Sequence, residues 1–291
     1  MAISILRQSN LHTIGFVDWL KFGVPYVVLF IPVIWLLLLK IFPPEPEIAL
    51  NHNYILQKRN QLGKITRPEI SVGLVFGLAV LLWISHPFWK FLFSYQFYQK
   101  IIWVDEYLIG LLVGLILFLI PVNIKKGEFV LNWKDTKFVD WGTLILFGGG
   151  LALSDAMFKT GLAGWLATSF VSLLGTPSTL VLLIFIVLMI SFLTEITSNT
   201  AVTSMMVPVV IAIAYSTGGD PTALAIGTAV AASMAFMLPV ATPPNAIVYG
   251  TGYVKLTDMI KAGFILDIVG WFFTSIILFI FGHLIFKIIN L

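Results

Sequence analysis

Thr194-Glu195-Ile196-Thr197-Ser198-Asn199-Thr200 is a polar run set between two apolar stretches, Leu180 to Leu193 and Ala201 to Ala214, each roughly 14 residues long. As helices they would each cover about 21 Å against a hydrocarbon core of about 30 Å, so neither is expected to cross a bilayer alone. The joint carries no Gly-Pro turn chemistry. Its simplest geometry is a re-entrant hairpin with the tip at mid-membrane, where non-helical backbone survives only inside protein or beside water. The device repeats downstream. Thr222 to Leu238 reads as a helix, Pro239-Val240-Ala241-Thr242-Pro243-Pro244-Asn245 interrupts it, and Ala246 to Val254 resumes for too short a distance to span. That pattern is a discontinuous helix.

The rest of the chain agrees with a bilayer. Of 291 residues, 59% are hydrophobic and 11% charged, well under half the charged share of a soluble domain, and the mean hydropathy is +0.99. Apolar runs near 20 residues do not alternate in polarity, which points to spanning helices rather than barrel strands. With no cysteine and four scattered histidines (His12, His52, His86, His283), thiolate chemistry is excluded and a metalloenzyme is not expected. The net charge of +3 comes from loop residues and reads as a topology signal, so no nucleic-acid partner is implied. Met1 to Asn10 lacks the layout of a secretory signal, and the spans are expected to do their own targeting.

Further spans read at Gly23 to Phe42, Ile70 to Ile84, Tyr107 to Ile120, Trp141 to Ser154 and Phe264 to Ile285, with Pro43-Pro44-Glu45-Pro46 ending the first and an interfacial helix reaching Leu174. Lys40, the 43–68 and 121–140 loops, Lys255 and Lys261 put 11 basic residues on one side. Six lie opposite: Arg7, Lys21, Lys90, Lys100, Lys159 and Lys287. The positive-inside rule makes the first side cytoplasmic and leaves both termini outside.

Candidate chemistry concentrates at the two interruptions. Ser198, Asn199 and Thr200 precede a helix whose unpaired N–H groups and partial positive charge make an anion site. The half-helix before them ends near Thr194 and Glu195, and its free carbonyls suit a hard cation such as Na⁺. At the second interruption Thr242 falls at N-cap, Pro243 at N1, and Asn245 within the first turn. Glu195 is the most membrane-embedded acid, and either a cation-attracting role or a structural hydrogen bond suits it. Asp155 and Asp267 read as interfacial or helix-packing residues ahead of any coupling role. Gly148-Gly149-Gly150 lacks the flanks of a phosphate loop and reads as close helix packing. No nucleophile and base are set together within the spans, so an enzyme is not expected.

Asp18-Trp19-Leu20-Lys21-Phe22-Gly23 and Asp258-Met259-Ile260-Lys261-Ala262-Gly263 share the pattern Asp-x-x-Lys-x-Gly, 240 residues apart, each leading into a span. As equivalent points of a duplication they leave the first hairpin and first broken helix without a counterpart, so the chain is expected to hold one complete half and the last span of the other.

Thr194-Glu-Ile-Thr-Ser198-Asn199-Thr200-Ala-Val-Thr, followed 42 residues after Thr200 by Thr242-Pro-Pro-Asn245, resembles the divalent anion/sodium symporter family, the sodium–dicarboxylate cotransporters. The resemblance implies an all-α polytopic membrane protein: a second inverted repeat with a re-entrant hairpin and a discontinuous helix, preceded by the last span of the first repeat. It divides the chain into 1–42 (last span of the first repeat), 43–69 (cytoplasmic loop) and 70–291 (second repeat). Within the last, 70–174 would be scaffold spans and interfacial helix, 177–254 the hairpin and broken helix, and 255–291 the final span. It also implies Na⁺-coupled uptake of a dicarboxylate, tricarboxylate or sulfate across the plasma (inner) membrane. Ser198, Asn199, Thr200, Thr242 and Pro243 would be substrate contacts, with Thr194, Thr197, Asn199 and Ala241 forming an Na⁺ site, largely through carbonyls. No organic cofactor is expected. Partners implied are the lipid bilayer, a second copy in an elevator-type homodimer, and a separate chain supplying the missing first repeat. Two alternatives stay open: a related Na⁺/H⁺ antiporter or arsenite permease, and an inactive truncated membrane subunit.

Overall fold

A computed structural model describes residues 1–9, 11, 14–43 and 52–286. Pro44, Glu45 and Pro46 of the expected first-span terminator, His12, and Lys287 of the charge count lie outside the described residues. The described chain is helical. In order come α1 (Ala2–Gln8), α2 (Phe16–Ile41), α3 (His52–Gln61), α4 (Arg67–Ser85), α5 (Trp89–Leu92), α6 (Tyr95–Ile101) and α7 (Glu106–Ile116). A small antiparallel pair, β1 (Pro121–Asn123) and β2 (Glu128–Phe129), follows. After it come α8 (Trp141–Lys159), α9 (Leu162–Leu174), α10 (Thr179–Glu195), α11 (Asn199–Thr217), α12 (Pro221–Ala231), α13 (Pro243–Gly250) and α14 (Leu256–Phe286). Five stretches among the described residues are long and apolar enough to cross a membrane: Phe16–Ile41, Arg67–Leu92, Trp141–Lys159, Asn199–Thr217 and Leu256–Gly282.

The chain divides into two compact units. In the unit formed by Gly15–Leu20 and Pro44–Asp140, α4 packs on α7 around buried Val75, Ala79, Ile109 and Val113. Thr66 caps α4 in a reciprocal box with Glu69, and the Trp83 indole N–H donates to the Glu106 carbonyl at 3.0 Å. Val72, Leu74, Phe76, Leu78 and Leu81 of α4 are exposed, a face that suits hydrocarbon and not water.

The other unit comprises Met1–Ile14, Lys21–Pro43 and Trp141–Leu291 and holds both interruptions. Its core is α10, α11, α12 and α14, where Leu182, Leu183, Ile186, Ile190, Ile211, Leu224, Ile226 and Leu278 are fully buried. The small-residue sequence of α12 allows this close approach: a Cβ at Gly227 would stand 2.4 Å from Leu183 Cδ1. From Lys21 onward α2 leans on α14, with the Tyr26 hydroxyl 2.7 Å from Thr274 Oγ1 and the Phe30 ring stacked on Phe273.

The glycine triplet in α8 behaves as close packing at one position only. A Cβ on Gly150 would lie 2.4 Å from Ser204 Cβ of α11, whereas Gly148 and Gly149 have nothing within 4 Å. Gly150→Ala is therefore expected to cost about 1–3 kcal/mol by overpacking. Gly148→Ala and Gly149→Ala should instead be neutral or gain up to about 1 kcal/mol of helix propensity. Thermal melts in detergent separate the three; equal melting temperatures would contradict the α8–α11 contact.

Two sequence expectations need correction. The helix from Thr222 does not reach Leu238: α12 ends at Ala231, and residues 232–242 are turns, a bend and backbone without regular secondary structure. And α11 is 19 residues long, enough to cross a membrane by length, because Asn199 and Thr200 form its first turn and it continues to Thr217. At 17 residues α10 is shorter.

Candidate functional site

The joint between α10 and α11 is Ile196, Thr197 and Ser198. Ser198 is the N-cap of α11, with extended backbone (φ −64°, ψ 133°), and its side chain makes no capping hydrogen bond. The first-turn N–H groups of α11 thus keep the donor capacity that a capping hydroxyl would have occupied. Ser198 is exposed, and Thr197, Asn199 and Thr200 are half-buried around it.

Behind this tip the side chains are fully engaged. The Thr194 hydroxyl, buried, lies 2.6 Å from Asn199 Oδ1 and 2.9 Å from the Ala232 carbonyl, so it joins the end of α10 both to α11 and to the residue after α12. Glu195, 1% exposed, accepts the Met237 N–H on Oε1 at 2.8 Å and the Leu238 N–H on Oε2 at 2.9 Å. Charge-assisted bonds of this type are about twice as strong as neutral ones. They are also why the backbone leaves the helix early: once a carboxylate 42 residues away satisfies two N–H groups, the segment needs no helical partners for them.

The second interruption is closed from its far side by Asn245, whose amide Nδ2 donates to the Ala235 carbonyl at 2.9 Å and the Leu238 carbonyl at 3.0 Å. Thr242 is the N-cap of α13, as its position before two prolines led one to expect, and its Oγ1 accepts the Asn245 N–H at 3.4 Å. Pro243 and Pro244 have no N–H, and the Ala246 N–H goes to the Thr242 carbonyl. The start of α13 is therefore positive but without free backbone donors. Pro243 is exposed, Thr242 half-buried and Ala241 buried.

The structure thus ties the hairpin to the interruption through Thr194 and Glu195. The hydrogen bonds of Thr242 run to its own helix, not to Ser198, Asn199 or Thr200. Chemically the arrangement offers hydroxyls, carbonyls and one uncapped helix start, a donor set for an anion and a hard cation with no basic side chain among these residues. Asp155 belongs elsewhere: it pairs with Lys159 at 2.7 Å on the surface of α8. Asp267, read as an interfacial or helix-packing residue, is not interfacial but buried in the packing of α14. It is 1% exposed, and neither of its carboxyl oxygens has a hydrogen-bond partner. The sequence signal was there, an acid inside the apolar run Phe264-Ile265-Leu266-Asp267-Ile268-Val269.

Helices of membrane-crossing length around a hydrophobic core define an all-α polytopic membrane protein. Over residues 1–288 the sequence matches the family described as sodium:sulfate symporter transmembrane region, and the chain belongs to that family. It is a multi-pass protein of the plasma membrane. The sodium-dependent dicarboxylate transporter SdcS of Staphylococcus saprophyticus is 37% identical over 254 residues, covering 86% of this chain and 48% of the relative. Its namesake in Staphylococcus aureus is 35% identical over 271 residues, covering 89% of this chain and 49% of the relative. The chain spans about half the length of the curated relatives it matches. Family and relatives are transporters by description, not enzymes.

Proposed function

We propose that this chain is the C-terminal portion of a secondary active transporter that couples Na⁺ to uptake of a small divalent anion, a dicarboxylate before a tricarboxylate or sulfate. One observation carries the reading: the uncapped start of α11 adjoins an interrupted helix and is fastened to it by Thr194 and Glu195. Ser198, Asn199, Thr200, Thr242 and Pro243 are assigned to the anion. Thr194, Thr197, Asn199 and Ala241 are assigned to Na⁺, which travels as a co-substrate. In this reading α10 and α11 form a re-entrant hairpin, and α12 and α13 are the halves of a discontinuous helix in a second inverted repeat.

The relatives' doubled length supports a second set of helix ends outside these residues, whether in the same polypeptide or a separate chain. The repeated Asp-x-x-Lys-x-Gly motif supports it too. In the second copy, a Cβ on Gly263 would fall 2.4 Å from the backbone of Phe236 and Met237; in the first, Gly23 has nothing within 4 Å. A first-repeat interruption is what would pack against Gly23. Assembly as an elevator-type homodimer belongs to the same proposal. The antiporter alternative is less favoured, since Glu195, the acid it would use, is held by two backbone N–H groups.

The test is uptake of labelled succinate into proteoliposomes under an imposed Na⁺ gradient, with and without the missing half supplied. Asn199→Ala and Thr242→Ala should each reduce Na⁺-driven uptake at least about tenfold, the loss of roughly 1.4 kcal/mol of binding or more, while membrane insertion holds. Unchanged uptake in both variants would remove the site assignment.

A further inference from the structure

A cavity of about 510 Å³ opens between the end of α2, the short helix α13 and the start of α14, all in the unit that holds both interruptions. Small-ligand sites fall in that range, about 300–1,000 Å³. None of the residues assigned to the anion or to Na⁺ lines it. Tyr26 meets Thr274 deeper in the unit, and Ile34, Leu38 and Phe42 line the cavity together with Leu266, Ala262 and Met259, so α2 and α14 run antiparallel. The facing positions of α14 are small at Ala262 and Gly263, and the chain leaves α13 through a turn at Gly252 (φ 76°), which keeps the gap open.

The lining is apolar with a surplus of hydrogen-bond acceptors. Asp258, half-buried in the first turn of α14, is the one charged residue among the described residues that line it. Its carboxylate has no hydrogen-bond or ion-pair partner among the described residues. Asn245 spends both Nδ2 hydrogens on the Ala235 and Leu238 carbonyls, which leaves its Oδ1 as a second acceptor. A half-buried carboxylate calls for a cation that also donates hydrogen bonds. Lys255 and Lys261 stand three residues before and after Asp258, both exposed, and neither forms an ion pair with it. Their ammonium groups stay available to an anion. At the rim Leu38, Phe42 and Val248 are exposed, which suits hydrocarbon and not water.

We propose that this cavity holds an acyl chain of a phospholipid whose headgroup ends in a primary ammonium, phosphatidylethanolamine. The ammonium donates to Asp258, the phosphate beside it is drawn to Lys255 and Lys261, and the chain runs inward along α14 toward Leu266, about 12 Å from Asp258 at 1.5 Å per residue. Charge chooses among lipids. A choline headgroup has the positive charge without an N–H to donate, and a glycerol headgroup brings only its phosphate to a site lined by a carboxylate. The site stands apart from the anion assignment, so a chain that transports nothing would still bind the lipid.

The experiment is native mass spectrometry of the full chain in detergent, offered equal amounts of phosphatidylethanolamine, phosphatidylcholine and phosphatidylglycerol with the same acyl chains. The expected result is a single retained phosphatidylethanolamine, preferred about tenfold over the other two, as one charge-assisted hydrogen bond provides. Asp258→Asn should bring that preference down to the level of phosphatidylcholine. Val248→Trp, which fills the rim from an exposed position, should lower retention of phosphatidylethanolamine without touching the carboxylate. Glycerophosphoethanolamine, the headgroup without its chains, should not displace the lipid. The headgroup comparison needs no substitution, so a variant that fails to fold does not protect the proposal. Equal retention of the three lipids, a preference for phosphatidylglycerol, a preference that survives Asp258→Asn, or displacement by the bare headgroup would each overturn it. So would a chain that retains none of the three and instead pairs with a second copy.

Discussion

Glu195→Ala is expected to lower stability by about 3–6 kcal/mol, the combined worth of two charge-assisted hydrogen bonds to N–H groups that would be left without partners. Since a folded domain is stable by only about 5–15 kcal/mol, a loss of that size removes most of the margin. The cause is local and two-sided. Glu195 is 1% exposed, so water does not replace it, and Met237 and Leu238 lie outside any helix that would otherwise take their N–H groups. Glu195→Gln keeps one carbonyl oxygen and should cost about half as much. Unfolding monitored by circular dichroism in detergent checks both variants. A Glu195→Ala protein that melts with the parent would show that the carboxylate does not hold the interruption.

The second large effect is at Gly263. An added Cβ there would meet Phe236 C, Phe236 O and Met237 Cα, all at 2.4 Å, and these are backbone atoms, not flexible side-chain ends. The backbone has little room to give, because the adjoining N–H groups are bonded to Glu195 and the Ala235 and Leu238 carbonyls to Asn245. Gly263→Ala should therefore cost about 3 kcal/mol or more, the upper end for overpacking, and Gly263→Val should not fold. Gly23→Ala, at the matching position of the motif, meets open space and is expected to be neutral or to gain up to about 1 kcal/mol. Parallel melts of the two alanine variants make the comparison, and equal losses would deny that the two glycines differ in surroundings.

The parts of this architecture that were legible in the sequence are those set by neighbours along the chain. Thr242 before two prolines carries local capping chemistry, and α13 starts where that residue puts it. The end of α12 was not legible, because nothing in Ala232 to Leu238 forbids a helix. What ends it is a carboxylate supplied by Glu195, 42 residues earlier. The length of α11 was underestimated for a related reason: Asn199 and Thr200 interrupt an apolar run yet extend a helix. Asp267 was visible as an acid among apolar residues, but its complete burial was not, since that is made by packing of α14 on α10 and α12.

The two helix starts also differ in what they can grip. At α11 backbone N–H groups remain to make directional bonds, whereas Pro243 and Pro244 leave α13 with a positive end and only the Thr242 hydroxyl hydrogen to offer. A field without donors attracts any anion and does not distinguish the planar oxygens of a carboxylate from the tetrahedral ones of a sulfate. Under the proposed site assignment, selection among anions falls to the α11 side, and the α13 side, holding loosely, governs how readily the cargo departs.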